Sequence, residues 1–510
     1  MKTSVSGDWM KKRIPRKVAM IVLNGVVNDS RVKKTAASLS SRGYEVTIFG
    51  LSRKIREGVE RIDLNDGIEV ALFPDRRRNL TYGGDPGDRW KLLQLGLVSE
   101  MWPHIQKMKP QFIHSHDFGA IRIGYEFTER LRESGHIACW IHDLHEYVAG
   151  LEQLEEGILR EALIDQEELI RIPDHLITVS GPIAMELTRD YNLSRPPDTV
   201  FNCPKNPGVL SERGVKEELQ LGPEDPLIVY AGGLAKQRGL ENVISSLKTL
   251  RSHHLCIVTD KNSKYIPILE KMSIDLKVSD RVHFVDYVDY SELPSFISDA
   301  DIAIHPMLKY RNGDLALPNK LFDYLHSELP IIVGECETMS NFVRRWGLGL
   351  SFDTGNLASL IDTIEKMTDR DFKIDTRNRG YLVKRYSWEK QEEKIIEIYR
   401  NAEQRMALFL ENLADIGISL EVDGKLIKGN IDVDYFAGPF SLMLFEDGQK
   451  KIEVDTDRNG DFVFDIGLVG SQTETQIFEF RARRWGDLAL SKIKITTENG
   501  ELAITEMPLK

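Results

Sequence analysis

The sequence is short of cysteine, of long apolar runs and of repeats, and each shortage excludes something. Its four cysteines, Cys139, Cys203, Cys256 and Cys336, lie far apart with no C-x-x-C pair, so neither a disulfide framework nor a cysteine zinc site is encoded. No stretch approaches the 18 or so apolar residues of a bilayer crossing. The opening MKTSVSGDWMKKRIPRK has no apolar core behind its charges, so a cleaved secretory leader is not expected and a reducing, cytoplasmic setting is. The turn from Asn24 to Arg31 contains no Gly-x-Gly-x-x-Gly, which argues against a nicotinamide dehydrogenase.

What is present is ordinary for a globular chain, with 41% hydrophobic and 29% charged residues in a length of 510. That length exceeds one core and calls for two or three domains. A net charge of -12 disfavours wholesale nucleic-acid binding. The first 80 residues run the other way, with 17 Lys or Arg against nine Asp or Glu. A basic lobe on an acidic protein suggests peripheral contact with an anionic membrane face, or an anionic acceptor.

From Val18 onward, short apolar runs alternate with amphipathic segments. Val18–Leu23, Glu45–Phe49, Ile68–Phe73, Phe112–His116, Ala138–Ile141 and Leu176–Ser180 read as strands, and Arg31–Arg42 as a helix that Asp29 or Ser30 can cap. A stretch containing Asn206, Pro207, Gly208, Gly222 and Pro223 interrupts the rhythm. It then restarts with Leu227–Ala231, Leu255–Thr259, Val282–Val285, Asp301–His305, Pro330–Val333 and Gly349–Phe352. The expected architecture is α/β: two Rossmann-like, doubly wound domains over residues 1–205 and 206–385, with a cleft at their strand ends. A helix over 386–410 follows. Beyond 411 the period shortens to alternation, with Asp423-Gly424, Asp447-Gly448 and Asn459-Gly460 as turns, and an all-β sandwich-like domain over 411–510 is expected. Tyr435, Phe436 and Trp485 are aromatic candidates there for glycan or partner binding, or for its core.

Several motifs fall at predicted strand ends. They are Asn28-Asp29-Ser30-Arg31-Val32, His114-Ser115-His116-Asp117, His142-Asp143-Leu144-His145-Glu146, Ala231-Gly232-Gly233-Leu234 leading to Arg238-Gly239, and Pro318-Asn319-Lys320-Leu321-Phe322-Asp323. In order and spacing, from Val18 to Tyr399, they resemble family 4 of the retaining glycosyltransferases. The resemblance implies the GT-B fold, a first domain that binds acceptor, a second that binds a nucleotide-diphosphate sugar, and a terminal helix opening at Tyr386-Ser387-Trp388-Glu389 that crosses back onto the first domain.

Such an enzyme dispenses with an obligatory metal, so cations and backbone N–H groups must hold the leaving diphosphate. Arg238 falls where the family places a phosphate-binding Lys or Arg. Gly232 and Gly233 form the preceding turn, and Gly233 stands where the commoner pattern has a second cation. Lys320, at a helix start, or Lys236 can replace it. The family's two acids seven residues apart map onto Leu315 and Asp323. Asp323 keeps the ribose-binding role, and Asp314 is the acid beside Leu315. On the acceptor side the resemblance points to His116 and Asp117 as catalytic-centre residues and to His142, His145 and Glu146 as acceptor contacts; Gly25 would let the backbone approach an acceptor or phosphate, and Arg31 either meets an acceptor phosphate or is solvated at its helix start. H-x-H with H-x-x-H also offers zinc ligands, but in no recognised metalloenzyme spacing.

The expected function is a retaining transferase that moves a hexose-type sugar to a glycan, lipid-linked or protein acceptor in surface polysaccharide or glycoconjugate synthesis, without a cofactor. A non-catalytic scaffold on the same fold, or a nucleotide-sugar epimerase, would use the same architecture.

Overall fold

The structure is a computed structural model that describes residues 16–412, except 28, 65–66, 77–84, 207–213, 370–371 and 373, with side chains through 407. Beyond 412 it describes the backbone of eight strands between 418 and 507. Part of the basic run (Arg77, Arg78 and the residues before Arg16), Asn28, Pro207, Gly208, Tyr435, Phe436 and Trp485 lie outside the described residues.

The first domain holds β1 (Lys17–Ile21), β2 (Glu45–Ser52), β3 (Glu60–Asp63), β4 (Ile68–Pro74), β5 (Phe112–His116), β6 (Cys139–Leu144), β7 (His175–Thr178) and β8 (Asp198–Thr199). They form one sheet in the order β3-β4-β2-β1-β5-β6-β7-β8, parallel except for β3, which pairs antiparallel with β4. Lys-Val-Ala-Met-Ile makes a strand because both of its faces are covered: Val18 and Met20 pack on one side of the sheet, Ala19 and Ile21 on the other. The chain order reverses between β1 and β5, so a crevice opens there at the strand C-termini.

The second domain repeats the plan with β9 (Leu227–Ala231), β10 (His254–Val258), β11 (Val282–Val285), β12 (Ile302–His305), β13 (Ile331–Gly334) and β14 (Gly349–Phe352). Their order is β11-β10-β9-β12-β13-β14, all parallel, with the reversal between β9 and β12. Two Rossmann-like domains of this kind are the GT-B arrangement.

Two of the connections between the domains bear on the site. The terminal helix, Trp388–Asn412, returns to the first domain, where Trp388, Ile395, Ile396, Tyr399 and Met406 join the core built on β1 and β2. Side chains of this size each contribute about 1.5–3 kcal/mol when fully buried. Polar contacts fix the docking: Trp388 Nε1 donates to Ser38 Oγ at 2.9 Å, and Tyr399 Oη pairs with His114 Nδ1 at 2.9 Å.

The second connection is the short helix Arg311–Leu315. Leu315 sits in a cluster with Leu144, Tyr147, Ile183 and Leu187 of the first domain. Its carbonyl accepts from Ser180 Oγ at 2.8 Å, and Asn312 Oδ1 accepts from the Tyr147 amide at 2.9 Å. Gly150 is required there, since a Cβ would lie 2.6 Å from the Asn312 nitrogen.

Eight C-terminal strands form two antiparallel sheets. β15 (Ile418–Asp423), β16 (Leu426–Ile431) and β19 (Asp461–Asp465) make one; β18 (Gln449–Asp455), β17 (Ser441–Glu446), β20 (Thr475–Arg483), β21 (Asp487–Glu498) and β22 (Glu501–Met507) make the other. Pairing begins at Asp423 with Leu426 and at Glu446 with Gln449, the register of tight hairpins.

Among the described residues no helix is long and apolar enough to cross a membrane. Much of the N-terminal basic surplus is matched by acids. Arg16 pairs with Glu403, Arg42 with Glu392, Arg76 with Glu100, Arg53 with Asp75, Arg61 with Glu69 and Arg31 with Asp143. Four of those six acids come from beyond residue 80, which is why a count along the sequence overstates the charge of the folded surface.

Candidate active site

On the first domain the site has two levels, set by strand alternation. His114 and His116 project from one face of β5, beside Asp143 of β6. Below them, Arg31 closes a two-pronged ion pair on Asp143, with Nε to Oδ2 at 2.7 Å and Nη2 to Oδ1 at 2.8 Å, and Nη1 donates to the Val200 carbonyl at 2.7 Å. Burial alone would raise the Asp143 carboxyl, but Arg31 and His145 outweigh it and hold it well below the usual range. His116 Nδ1 lies 3.4 Å from Asp143 Oδ2 and 3.4 Å from His145 Nε2. Its ring stacks on His114 at 4.2 Å, and burial keeps it below the ordinary imidazole value.

This arrangement corrects two expectations. Arg31 supports Asp143 from beneath and is 3% exposed, so it is not placed as an acceptor contact. His142 faces the opposite side of the sheet, where Nδ1 meets Ser115 Oγ at 2.8 Å and Trp140 packs alongside. Alternation puts residues 141 and 143 on one face and 142 on the other, so His142 is in the core. His116 is also fully buried, one layer under the cleft surface.

The upper level is Asp117, His145 and Glu146, all half-buried. Asp117 has φ 65° and ψ 165°, a region that costs a non-glycine residue about 1–3 kcal/mol. It is held there because its amide donates to the Asp143 carbonyl at 2.8 Å and its Oδ1 accepts from the Phe118 amide at 2.8 Å. Burial, followed by the Asp117 charge, pushes the Glu146 carboxyl up to about 7, against the pull of His145 and of Arg238 from the other domain. Asp117 is raised by burial as well. Burial lowers His145, but Asp143 and Asp117 outweigh it and leave the imidazole above its usual value. Gly25 is exposed in the loop after β1, where a Cβ would make ordinary contact with the Leu51 carbonyl oxygen at 3.6 Å. The strained residue of that loop is its neighbour, Val26, at φ 64°.

On the second domain Arg238 and Lys320 come together. Gly232, at φ 136°, leaves room for the Lys320 side chain, whose Cε would lie 2.0 Å from a Cβ at that position. Lys320 Nζ is 5.9 Å from the Tyr230 ring centre. Burial, then the Arg238 charge, lowers the Lys320 ammonium to about 7, against the pull of Asp323. Asp323 in turn is raised to about 7 by burial, against Lys320 and against Lys34 of the first domain. Gly233 faces open space, and its carbonyl accepts from Tyr230 Oη at 2.7 Å. Asp314 is elsewhere: its Oδ1 accepts from the Glu337 amide at 3.1 Å and caps the helix Glu337–Arg345.

One residue escaped the sequence reading. His305 ends β12, is fully buried, and has neither ring nitrogen hydrogen-bonded. It stacks parallel to Tyr230 at 6.2 Å, and burial followed by Lys320 and Arg238 keeps it neutral, well below 6.5. The strand-end rule applied to His116 identifies it equally well.

Residues 30–204 match the Glycosyltransferase Family 4 domain, and residues 225–370 match the Glycosyl transferases group 1 domain. The chain belongs to the family 4, group 1 glycosyltransferases. This glycosyltransferase is 18% identical over 282 residues to an uncharacterised glycosyltransferase of Methanocaldococcus jannaschii, which spans 51% of this chain and 70% of that one. Its fold is similar to sucrose-phosphate synthase from Thermosynechococcus elongatus (TM-score 0.63, 16% identity, 76% of this chain and 99% of that one). It is also similar to HepE of Anabaena in complex with UDP-glucose (TM-score 0.58, 14% identity, 76% and 99%). A third similar structure is the trehalose 6-phosphate synthase of Burkholderia multivorans (TM-score 0.58, 10% identity, 77% and 100%).

His114, His116 and Asp143 are near enough to one another to suggest a metal set. The donor chemistry does not fit a cation: both Asp143 oxygens are taken by a guanidinium, whose charge would oppose the ion.

Proposed function

We propose that this glycosyltransferase moves a hexose-type sugar from a nucleoside-diphosphate donor to a hydroxyl of a glycan or other sugar-bearing acceptor, with retention of configuration and without a metal. One observation carries the reading. Two cations, Arg238 and Lys320, are brought together at the C-terminal ends of β9 and β12, at a cost visible in the lowered Lys320, and neither has a carboxylate hydrogen-bonded to it among the described residues. A diphosphate would satisfy both, since preorganised donors aimed at the developing charge are the main lever for such a leaving group.

In this reading Arg238 and Lys320 take the diphosphate and His305, neutral, offers an N–H beside them. Asp323 accepts from the ribose hydroxyls, and Gly232 and Gly233 let the donor approach the backbone. Asp117, His145 and Glu146 position the acceptor from the facing domain, and Asp143 with His116 sets their orientation from beneath. The UDP and UDP-glucose found in the HepE complexes make a uridine donor the first to test. The C-terminal sheets are read as one sandwich-like accessory domain. Six of the N-terminal basic residues are paired with acids, so a contact with an anionic membrane face would fall to the others.

Incubating the purified protein with nucleotide sugars and measuring nucleoside-diphosphate release tests the proposal. Release that Arg238→Ala abolishes supports it, whereas binding without turnover favours the scaffold reading.

A further inference from the structure

The segment that leaves the first domain after β8 is gripped by that domain and reaches the donor side of the cleft. The Val200 amide donates to the Thr178 carbonyl at 2.9 Å, and the Phe201 amide to Gln391 Oε1 of the terminal helix at 3.2 Å. The helix Ser30–Ser40 adds two cations three residues apart. Arg31 Nη1 donates to the Val200 carbonyl at 2.7 Å, and the Lys34 ammonium to the Cys203 carbonyl. Lys34 is 3% exposed, with its Nζ 4.7 Å from the Trp388 ring centre.

The Phe201 side chain crosses to the second domain. Its ring centre lies 5.6 Å from that of Phe322 and 5.3 Å from that of Tyr386, and those two rings stack at 5.2 Å. Phe322 belongs to the helix Asn319–His326, and so do Lys320 and Asp323. Positions 320 and 323 share one face of that helix, and 322 projects from the other. His326, in its last turn, donates from Nε2 to the Tyr386 carbonyl at 2.9 Å. A helix of eight residues with no side-chain bond at its N-cap takes its place from what it packs against.

We propose that Phe201 is a positioning residue for the nucleotide: held on the first domain by Arg31 and Lys34, it packs against Phe322 and so places Lys320 and Asp323. This rests on the transferase reading above. The diphosphate and ribose contacts of the second domain then depend on a grip supplied by the first. A misplacement of about 1 Å by a change far from the chemistry can cost on the order of 100-fold, so a wedge that touches no substrate still governs how well the nucleotide is held.

Calorimetry on the full chain with UDP, or with GDP or ADP where one of those binds instead, separates placement from folding, because an unfolded fraction lowers the binding stoichiometry and leaves Kd unchanged. The expected result is a Kd raised about tenfold or more in Phe201→Ala and about threefold or more in Lys34→Met, with the double variant no worse than Phe201→Ala. Phe201→Leu, which keeps an apolar wedge, should lose less. Where Phe201→Ala does not fold, Phe201→Leu takes its place, with a loss of about threefold expected. An unchanged Kd in the Phe201 variant or in Lys34→Met overturns the inference. So do losses that multiply in the double variant, which would show Lys34 acting on the buried Asp323 by charge alone. If UDP, GDP and ADP all fail to bind the native protein, the donor reading falls and takes this inference with it; nucleotide binding that is blind to Phe201 sinks this inference alone.

Discussion

Lys320 reaches its position only because residue 232 is glycine: a Cβ there would lie 2.0 Å from Lys320 Cε and 2.6 Å from its Nζ. The backbone at Gly232, with φ 136°, is also one that side-chain-bearing residues rarely adopt. Gly232→Ala should therefore displace the ammonium from the Arg238 pocket and weaken nucleotide binding about as much as Lys320→Ala does. The double variant should be no worse than either single one. Titration calorimetry with UDP checks this, and additive losses would show that the two residues act separately.

Proton uptake should accompany nucleotide binding. The Lys320 ammonium is lowered to about 7 in the free protein, and an adjacent diphosphate raises it again. The bound state then holds more protons than the free state, so affinity falls as pH rises from 7 to 9. Calorimetry in buffers of differing ionisation enthalpy measures the uptake, which Lys320→Met should remove. The same shift bears on folding. The unfolded lysine binds its proton up to its ordinary value of 10.5, so Lys320 destabilises the free protein below about 7 and this penalty fades as pH climbs toward 10. Asp323, raised to about 7 from 3.8, acts in the opposite sense, with its stabilising contribution lost as pH rises from 4 to 7.

Restoring an acid at 315 should damage the protein before it helps chemistry. Leu315 is 8% exposed, within an apolar cluster shared by both domains. Leu315→Glu would bury a carboxylate with no cation hydrogen-bonded nearby, and a loss of several kcal/mol is expected. Thermal melting should show a lowered midpoint with no gain in turnover, while Leu315→Met should be close to neutral.

Tyr399→Phe tests how the terminal helix supports the site. It removes the partner of His114 Nδ1, and His114 Nε2 already has none, so about 1–3 kcal/mol of stability should be lost. Turnover at saturating substrate should change little, because Tyr399 touches neither proposed substrate.

Much of the fold was legible because twelve of the thirteen parallel strands are apolar runs that announce themselves, all but the two-residue β8; β1, β5, β9 and β11 lie within a residue or two of where their side chains place them. β3 was missed because Glu-Arg-Ile-Asp has a single apolar residue and is an exposed edge. The site was legible as a set of strand ends but not in depth. His142 and Arg31 stand within motifs yet lie below the cleft, and which face a residue takes depends on register. Asp314 was chosen for its neighbour at 315, and the fold uses it as a helix cap. His305 carried the same signal as His116, a histidine ending an apolar strand, but no motif drew attention to it. Part of the N-terminal basic charge is met by acids that arrive from the terminal helix, such as Glu392 and Glu403, and a count along the sequence cannot anticipate those partners.

The most direct measurement is titration of UDP, GDP and ADP into the native protein and into Arg238→Ala. Binding of at least one of them, weakened roughly 10- to 100-fold by the substitution as expected for lost charge-assisted hydrogen bonds, is the predicted result. Unchanged affinity in Arg238→Ala would contradict the account, because the leaving group would then be held somewhere other than between Arg238 and Lys320.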